Sequence, residues 1–311
     1  MCGIVGFFDK TGSGNAPIGK IMLRMLEALC RRGPDSAGVA LYGPATNDAL
    51  VLNVKVGEHG DFREKGLQLA EKIRHFARVH QASVLGEYLR LRLEWDQGVR
   101  QLQKQIEALS EGVEVVSLGK QLEIIKQVGS PDALNHTYGI DSFVGHHALG
   151  HTRMSTESKV DLSHSQPFWA HGIADLASVH NGHITNYHKL RRQYEQRDIR
   201  FYTENDSEII GVFLADQMEH GMDLKDALKA SLRTFDGSYS YLAASANTLA
   251  YAKDRFAYKP LVIGETDEFV ALATEEVAIR AAFPNETIST REAPANYSHT
   301  WSVPQEVAVN Y

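Results

Sequence analysis

At 311 residues, with 43% hydrophobic and 23% charged side chains, the chain has room for one large or two ordinary domains around a sizeable core. A net charge of −7 gives no electrostatic reason to expect nucleic acid or an anionic membrane as partner. No apolar run approaches the length of a membrane span, the N-terminus lacks the features of a secretory signal, and two cysteines, Cys2 and Cys30, do not suggest a disulfide framework. A reducing cytoplasm is the expected compartment.

Cys2 follows the initiator Met and becomes the terminal residue once Met1 is removed, which its small size permits. It would then carry a thiol and a free α-amine together, and an N-terminal amine is a known activating base for a nucleophile. That amine titrates at about 7.7–8.0, close to working pH. Ile4, Val5, Phe7 and Phe8, spaced by Gly3 and Gly6, predict a buried strand that would hold the thiol rigidly. On this segment alone Cys2 reads equally as a small apolar residue opening a strand. Ile18 to Arg31 has helical spacing, and Arg32-Gly33-Pro34-Asp35-Ser36-Ala37-Gly38 is a turn with a cation and a carboxylate. Val39–Gly43 and Leu50–Val56 read as strands.

From about Gly60 to Phe143 the composition shifts. Phe62–Val79 and Trp95–Leu109 are charge-rich with helical periodicity, and Val113–Val128 has short runs suited to strands. Ser83–Trp95 fits either state. With no catalytic motif here, this region reads as a helix-rich structural insertion, or as a partner-docking surface.

The polar content concentrates next. Gly150-His151-Thr152-Arg153-Met154-Ser155-Thr156 takes a strand into a turn with one arginine, and Ser165-Gln166-Pro167-Phe168 follows in a loop. Ser178-Val179-His180 leads into Asn181-Gly182. A strand followed by Asn-Gly is the usual two-residue hairpin signal. The alternative is that the Asn amide and the Gly N–H are two donors aimed at one point, as an oxyanion hole requires. Asp206 precedes the apolar run Ile209–Leu214, where an Asp is ordinarily a helix cap but could instead hold a substrate ammonium. Helices are predicted over Tyr187–Arg197 and Asp223–Phe235. Strands follow over Ser238–Ala246, Thr248–Lys253, Pro260–Gly264 and Glu268–Ala273. Strands at both ends with helices between suit a layered α/β or α+β architecture.

These residues resemble the class II glutamine amidotransferases, whose glutaminase domain is an N-terminal nucleophile hydrolase. The match is carried by Cys2-Gly3-Ile4-Val5-Gly6, by Arg32 to Gly38, by Gly150 to Thr156 with Ser165 to Phe168, by His180-Asn181-Gly182-His183-Ile184-Thr185-Asn186, by Asn205-Asp206-Ser207-Glu208, and by Ala252-Lys253-Asp254-Arg255-Phe256 with Lys259-Pro260-Leu261. The resemblance implies an α+β fold, a four-layer αββα sandwich over 1–311 interrupted by the insertion at about 60–143. It implies Cys2 as nucleophile with its own α-amine as base, and Asn181 and Gly182 as oxyanion donors. Arg153 would bind the α-carboxylate of L-glutamine and Asp206 its α-ammonium. Arg32 would order the site, and Thr156 would complete the substrate pocket. No cofactor is implied. Met154 stands where many relatives have an aromatic residue. No synthase-type domain follows the glutaminase region before Tyr311, so the chain is most similar to the stand-alone amidotransferase subunit of glutamate-synthase-like complexes, including N-methylglutamate synthase. That implies a hetero-oligomer with a separate synthase as ammonia acceptor.

Three other readings stay open at the level of sequence. Eight of the 14 histidines lie between His146 and His188, which raises a metal site, although no HExxH or paired-cysteine ligand set accompanies them. The same fold could hydrolyse another amide. A non-catalytic regulatory subunit would have no chemical reason to keep Cys2, Asn181, Gly182, Arg153 and Asp206 together.

Overall fold

The computed structural model describes residues 2–45, 49–155 and 159–303. The apolar first strand β1 (Gly3–Asp9) is followed by helix α1 (Ile18–Ala28) and strand β2 (Ser36–Tyr42). Next come β3 (Leu50–Lys55), α2 (Phe62–Arg74), the hairpin β4 (Arg78–Leu85) and β5 (Tyr88–Glu94), α3 (Val99–Glu107), β6 (Glu114–Gly119) and β7 (Leu122–Val128). Helix α4 (Pro131–Tyr138) leads to β8 (His147–Arg153), the short β9 (Phe168–Trp169), β10 (Ala177–Ile184), α5 (Tyr187–Glu195), α6 (Glu208–Glu219) and α7 (Leu224–Thr234). The last part holds β11 (Gly237–Ser245), β12 (Thr248–Lys253), β13 (Val262–Glu265), β14 (Phe269–Ala273), α8 (Glu276–Ala282), β15 (Thr290–Glu292) and β16 (Tyr297–Ser302).

Among the described residues these strands form three sheets. One has the order β15-β13-β14-β1-β8-β2-β7, a second β16-β12-β11-β10-β9, and a third β4-β5-β3-β6. The first two pack face to face. Every second residue of a strand points to the same face, so Ile4, Gly6 and Phe8 of β1 share the inner face with Leu149 of β8, against Val179, Leu242 and Leu249 of the second sheet. The Tyr42 hydroxyl crosses the gap to Ala244 O at 2.7 Å, and His147 Nε2–H donates to Ser245 O at 2.8 Å. Helices α1, α4 and α8 cover the outer face of the first sheet, while α5, α6 and α7 bury theirs against Tyr239, Tyr241 and Ala243 of the second. The result is the four-layer αββα sandwich. Among the described residues no helix is long and apolar enough to cross a membrane.

Between β2 and β7 of the first sheet the chain makes an excursion, which forms the third sheet. Its sheet begins at Leu50, since β3 pairs with β5 and β6, whereas β7 returns to the main sheet beside β2. Strands β3 to β6, with α2 and α3 between them, lie within 50–119. Helices α2 and α3 form within their expected windows, with Asp61 capping α2 by accepting Glu64 N–H at 3.0 Å. What organises them is the sheet, whose hairpin takes up the ambiguous Ser83–Trp95 stretch. Helices α4 and α8 carried no periodicity signal in the sequence reading. They are short, eight and seven residues, and their place is set by packing.

Burial leaves a signature in acid. His147, His151 and His171 are each pushed down to about 3, chiefly by burial. The folded chain keeps them neutral while the unfolded chain takes up protons below about pH 6.5, so their contribution to stability is complete above that pH and lost as pH falls. Glu208 acts oppositely, because burial raises its carboxyl to about 7 and the folded chain keeps a proton that the unfolded chain releases. With three buried histidines set against one carboxyl, stability is expected to fall as pH drops from 7 to 5. Urea midpoints at pH 7, 6 and 5 check this. An unchanged midpoint would refute it.

Candidate active site

The site is assembled where the two inner faces open at one end. Cys2 continues the inner-face row of β1, and β1 lies between β8 and β14. Thr274, just past β14, secures the start of the strand: Ile4 N–H donates to its hydroxyl at 2.8 Å, and its own N–H donates to Ile4 O at 2.9 Å. Cys2 is partly exposed, with Sγ 3.8 Å from Met154 O. Arg153 pairs in register with Ser36, and His151 pairs with both Ile4 and Gly38, so all of these share the inner face. Arg153 is 5% exposed and Cys2 is among the groups acting on its guanidinium. Burial lowers the Arg153 pKa, opposed by Cys2, Asp161 and Asp35. Arginine remains charged nonetheless.

The turn at Arg32–Gly38 holds this end in place. Arg32 Nε donates to Cys2 O at 3.3 Å, and its guanidinium pairs with Glu275 at the start of α8. Asp35 N–H donates to Arg153 O at 3.0 Å, and its carboxylate accepts Ser155 N–H at 2.7 Å. A side chain at Gly38 would meet Gln166 O, 2.2 Å from an added Cβ, so glycine is what lets the Gln166-Pro167 loop cross the inner face.

The facing strand supplies donors. Asn181-Gly182 lies inside β10, paired with Ser240 and Tyr239, and is not a hairpin turn. One edge of β10 outlasts its two-residue partner β9, and side chains take over there. Gln166 brackets His180, accepting its N–H at 2.6 Å and donating to its carbonyl at 3.3 Å. Asp206 accepts Ile184 N–H at 2.7 Å. Gly182 stands between His180 and Ile184 on the strand, at a φ of 143°. Asn181 shares the face of Val179, towards β1, and its side-chain nitrogen is buried with no hydrogen-bond partner among the described residues. His151 lies beside His180 across the gap. The next residues outward, Arg153 and Cys2 on one sheet and Asn181 and Gly182 on the other, therefore share the open end.

Asp206 does not cap α6. Ser207 occupies that position without a side-chain cap bond, and Glu208 turns back to accept Tyr202 N–H, Thr203 N–H and the Thr203 hydroxyl. The Asp206 carboxylate instead faces β10, with His183 Nδ1 at 3.5 Å and His180 Nδ1 at 3.9 Å. His180 is buried, which lowers its pKa against the pull of Asp206, and its Nδ1 lies 2.9 Å from the Ser207 hydroxyl. The sequence reading gave no role to Gln166, His180, Ser207 or Asp35, although their motifs were visible. Main-chain bracketing by a side chain leaves no local pattern. Thr156 lies outside the described residues.

The end of the sandwich thus gathers a thiol, a buried cation, a carboxylate and the Asn181 amide on the face towards the thiol's strand. Hollows lie elsewhere too, among them a cavity of about 280 Å³ between α3 and α6 and an open groove of about 960 Å³ beside Arg90 and Glu123. Neither contains a nucleophile, and convergence of groups outweighs volume in choosing the site. Among the described residues no cluster of three or more His, Cys, Asp or Glu side chains is arranged to hold a metal ion.

An αββα sandwich with a cysteine at the head of a central strand is the arrangement found in the N-terminal nucleophile hydrolase fold, and comparison with known proteins agrees on the fold. A glutamine amidotransferase domain model matches residues 151–281. A Methanothermobacter thermautotrophicus protein carrying a glutamine amidotransferase name is 37% identical over 287 residues, covering 90% of this chain and 93% of its own length. The glutamine amidotransferase-like protein GlxB of Rhizobium meliloti is 32% identical, covering 90% and 91%. In fold, the chain is similar to the glutamine phosphoribosylpyrophosphate amidotransferase of B. subtilis, with a TM-score of 0.60 at 19% identity, over 98% of this chain and 50% of that one. The chain therefore spans about half of that larger structure. It belongs to the class II glutamine amidotransferase family and is an enzyme of that class.

Proposed function

We propose that this protein hydrolyses L-glutamine through a γ-glutamyl thioester on Cys2 and passes the ammonia to a separate synthase subunit. The observation that carries the reading is the buried Asn181 amide nitrogen, without a hydrogen-bond partner among the described residues, on the face of β10 towards β1. Removal of Met1 makes Cys2 the terminal residue, and its α-amine, acting through a water, takes the thiol proton. The thiolate attacks the γ-carbonyl, and the oxyanion is held by Asn181 Nδ2 and Gly182 N–H. Collapse of the tetrahedral intermediate breaks the C–N bond, the amine returns the proton to the leaving nitrogen, and ammonia departs. Water then cleaves the thioester to glutamate.

Glutamine is a zwitterion, so its recognition calls for one cation and one anion. Arg153 supplies a planar two-pronged donor for the α-carboxylate. Asp206, already oriented by Ile184 N–H, takes the α-ammonium. Arg32 orders the Cys2 end and Thr156 completes the pocket. The ammonia acceptor is a synthase of the glutamate-synthase or N-methylglutamate-synthase kind, assembled with this chain as a cytoplasmic hetero-oligomer.

Intact mass before and after exposure to an electrophilic glutamine analogue tests this. The expected result is a starting mass lacking Met1 and a single adduct that maps to Cys2 and is suppressed by glutamine. A processed chain that gains no adduct would overturn the reading.

A further inference from the structure

The loop 159–166 joins the two halves of the candidate site. Lys159 O accepts a bond from Arg153 Nη1 at 2.8 Å, and His164 O accepts one from Asn205 Nδ2, next to Asp206, at 2.9 Å. Gln166 then brackets the β10 edge at His180. The loop is braced internally by Asp161, which accepts His164 N–H at 2.8 Å and faces His164 Nδ1 at 2.7 Å, while the Ser165 hydroxyl donates to Asp161 O at 2.6 Å.

Ser163 points the other way, into the excursion sheet. Lys55 Nζ, from the end of β3, donates to Ser163 Oγ at 3.0 Å, and Ser163 Oγ donates to Glu114 Oε2, the first residue of β6, at 2.5 Å. A hydroxyl can accept from a cation and donate to a carboxylate at once, which neither ion can do for the other. The Lys55 side chain is only 2% exposed and is paired with Glu58 as well. A buried ammonium that loses a hydrogen-bond partner is left less satisfied, which costs free energy even while Glu58 balances its charge. The seam between excursion and loop is therefore tied at a place where slack is costly.

We propose that the excursion sheet sets the affinity of the site for glutamine, with Ser163 as the positioning residue. The Lys55–Ser163–Glu114 relay holds loop 159–166 where Lys159 O orients Arg153 and His164 O orients Asn205. A displacement of the excursion relative to the loop changes glutamine binding before it changes the chemistry at Cys2. This rests on the roles given above to Arg153 and Asp206.

The test uses the full chain and 6-diazo-5-oxo-norleucine, an electrophilic glutamine analogue, with the adduct at Cys2 followed by intact mass over a range of concentrations. Ser163→Ala is expected to raise the half-saturating concentration about five- to tenfold, with the limiting rate unchanged. Ser163→Thr keeps the hydroxyl and is expected to restore it, and Glu114→Gln is expected to move it in the same direction as the alanine. Alkylation of Cys2 by iodoacetamide, which has no amino-acid end, is expected to be unaffected. An unchanged half-saturation in Ser163→Ala and Glu114→Gln overturns the proposal, as does an equal fall in the limiting rate and in iodoacetamide reactivity. Arg153→Ala separates the two levels. If it leaves half-saturation unchanged, the role of Arg153 fails. If it raises half-saturation and Ser163→Ala does not, the relay alone fails.

Discussion

Cys2→Ala is expected to lower glutamine hydrolysis on the order of 10⁴–10⁶-fold, the usual scale for loss of a nucleophile, with no loss of fold. The side chain is small and partly exposed, and β1 is held by main-chain pairing to β8 and β14 and by Thr274, none of which involves the thiol. Alanine in second position also permits removal of Met1, so the variant separates the thiol from processing. Glutamine binding by calorimetry is expected to persist, since Arg153 and Asp206 are untouched. Hydrolysis retained at a tenth of the wild-type rate would mean that another group attacks the amide.

Asn181→Ala comes second, with an expected fall of ~10²–10³ in kcat and little change in KM, because the donor acts on charge that develops only during reaction. Its amide nitrogen has no partner among the described residues, so the folded protein loses no hydrogen bond there. Unfolding midpoints are therefore expected to stay close to wild type. Gly182→Ala makes a contrast. A Cβ at that position would sit 2.3 Å from Ser238 O and 2.6 Å from Tyr239 Cα, at a φ of 143° that side chains rarely adopt. That variant is expected to lose both activity and stability, as strain at a special backbone angle does. If Asn181→Ala also lost stability, the amide would be structural and the donor assignment would fall.

Burial and register separate what was legible in the sequence from what was not. Cys2 and the strand after it could be read directly as candidates, because a cysteine in second position and a run of apolar residues are local facts. Arg32 and Arg153 took their roles only through resemblance to the family, and Asp206 stood in the sequence as one of two alternatives, a helix cap or a partner for an ammonium. Their spacing in sequence, 121 residues between the two arginines and 53 more to the aspartate, carries no geometry. Asp206 illustrates the limit. Beside an apolar helical run it reads as a cap, and only the fold turns its carboxylate to Ile184 N–H on β10. Asn181-Gly182 likewise reads as a turn until the strand is seen to continue to Ile184.

The excursion shows the same division. Charge-rich helical periodicity revealed α2 and α3 but hid the sheet beneath them, since β3 lies before the composition shift and pairs across more than thirty residues with β5.

By itself, then, the sequence determined most of the main-sheet strands and the longer helices, a cysteine at the head of the first strand and a set of polar motifs in a recognisable order. Tertiary structure alone decided that β1, β8 and β10 bring those motifs to one open end, that β10 leaves an edge for Gln166 and Asp206 to occupy, and that Ser163 ties the loop to the excursion. The physical reason is that local patterns report which face of an element is buried, whereas strand partners and unpaired edges arise from contacts between residues far apart in the chain.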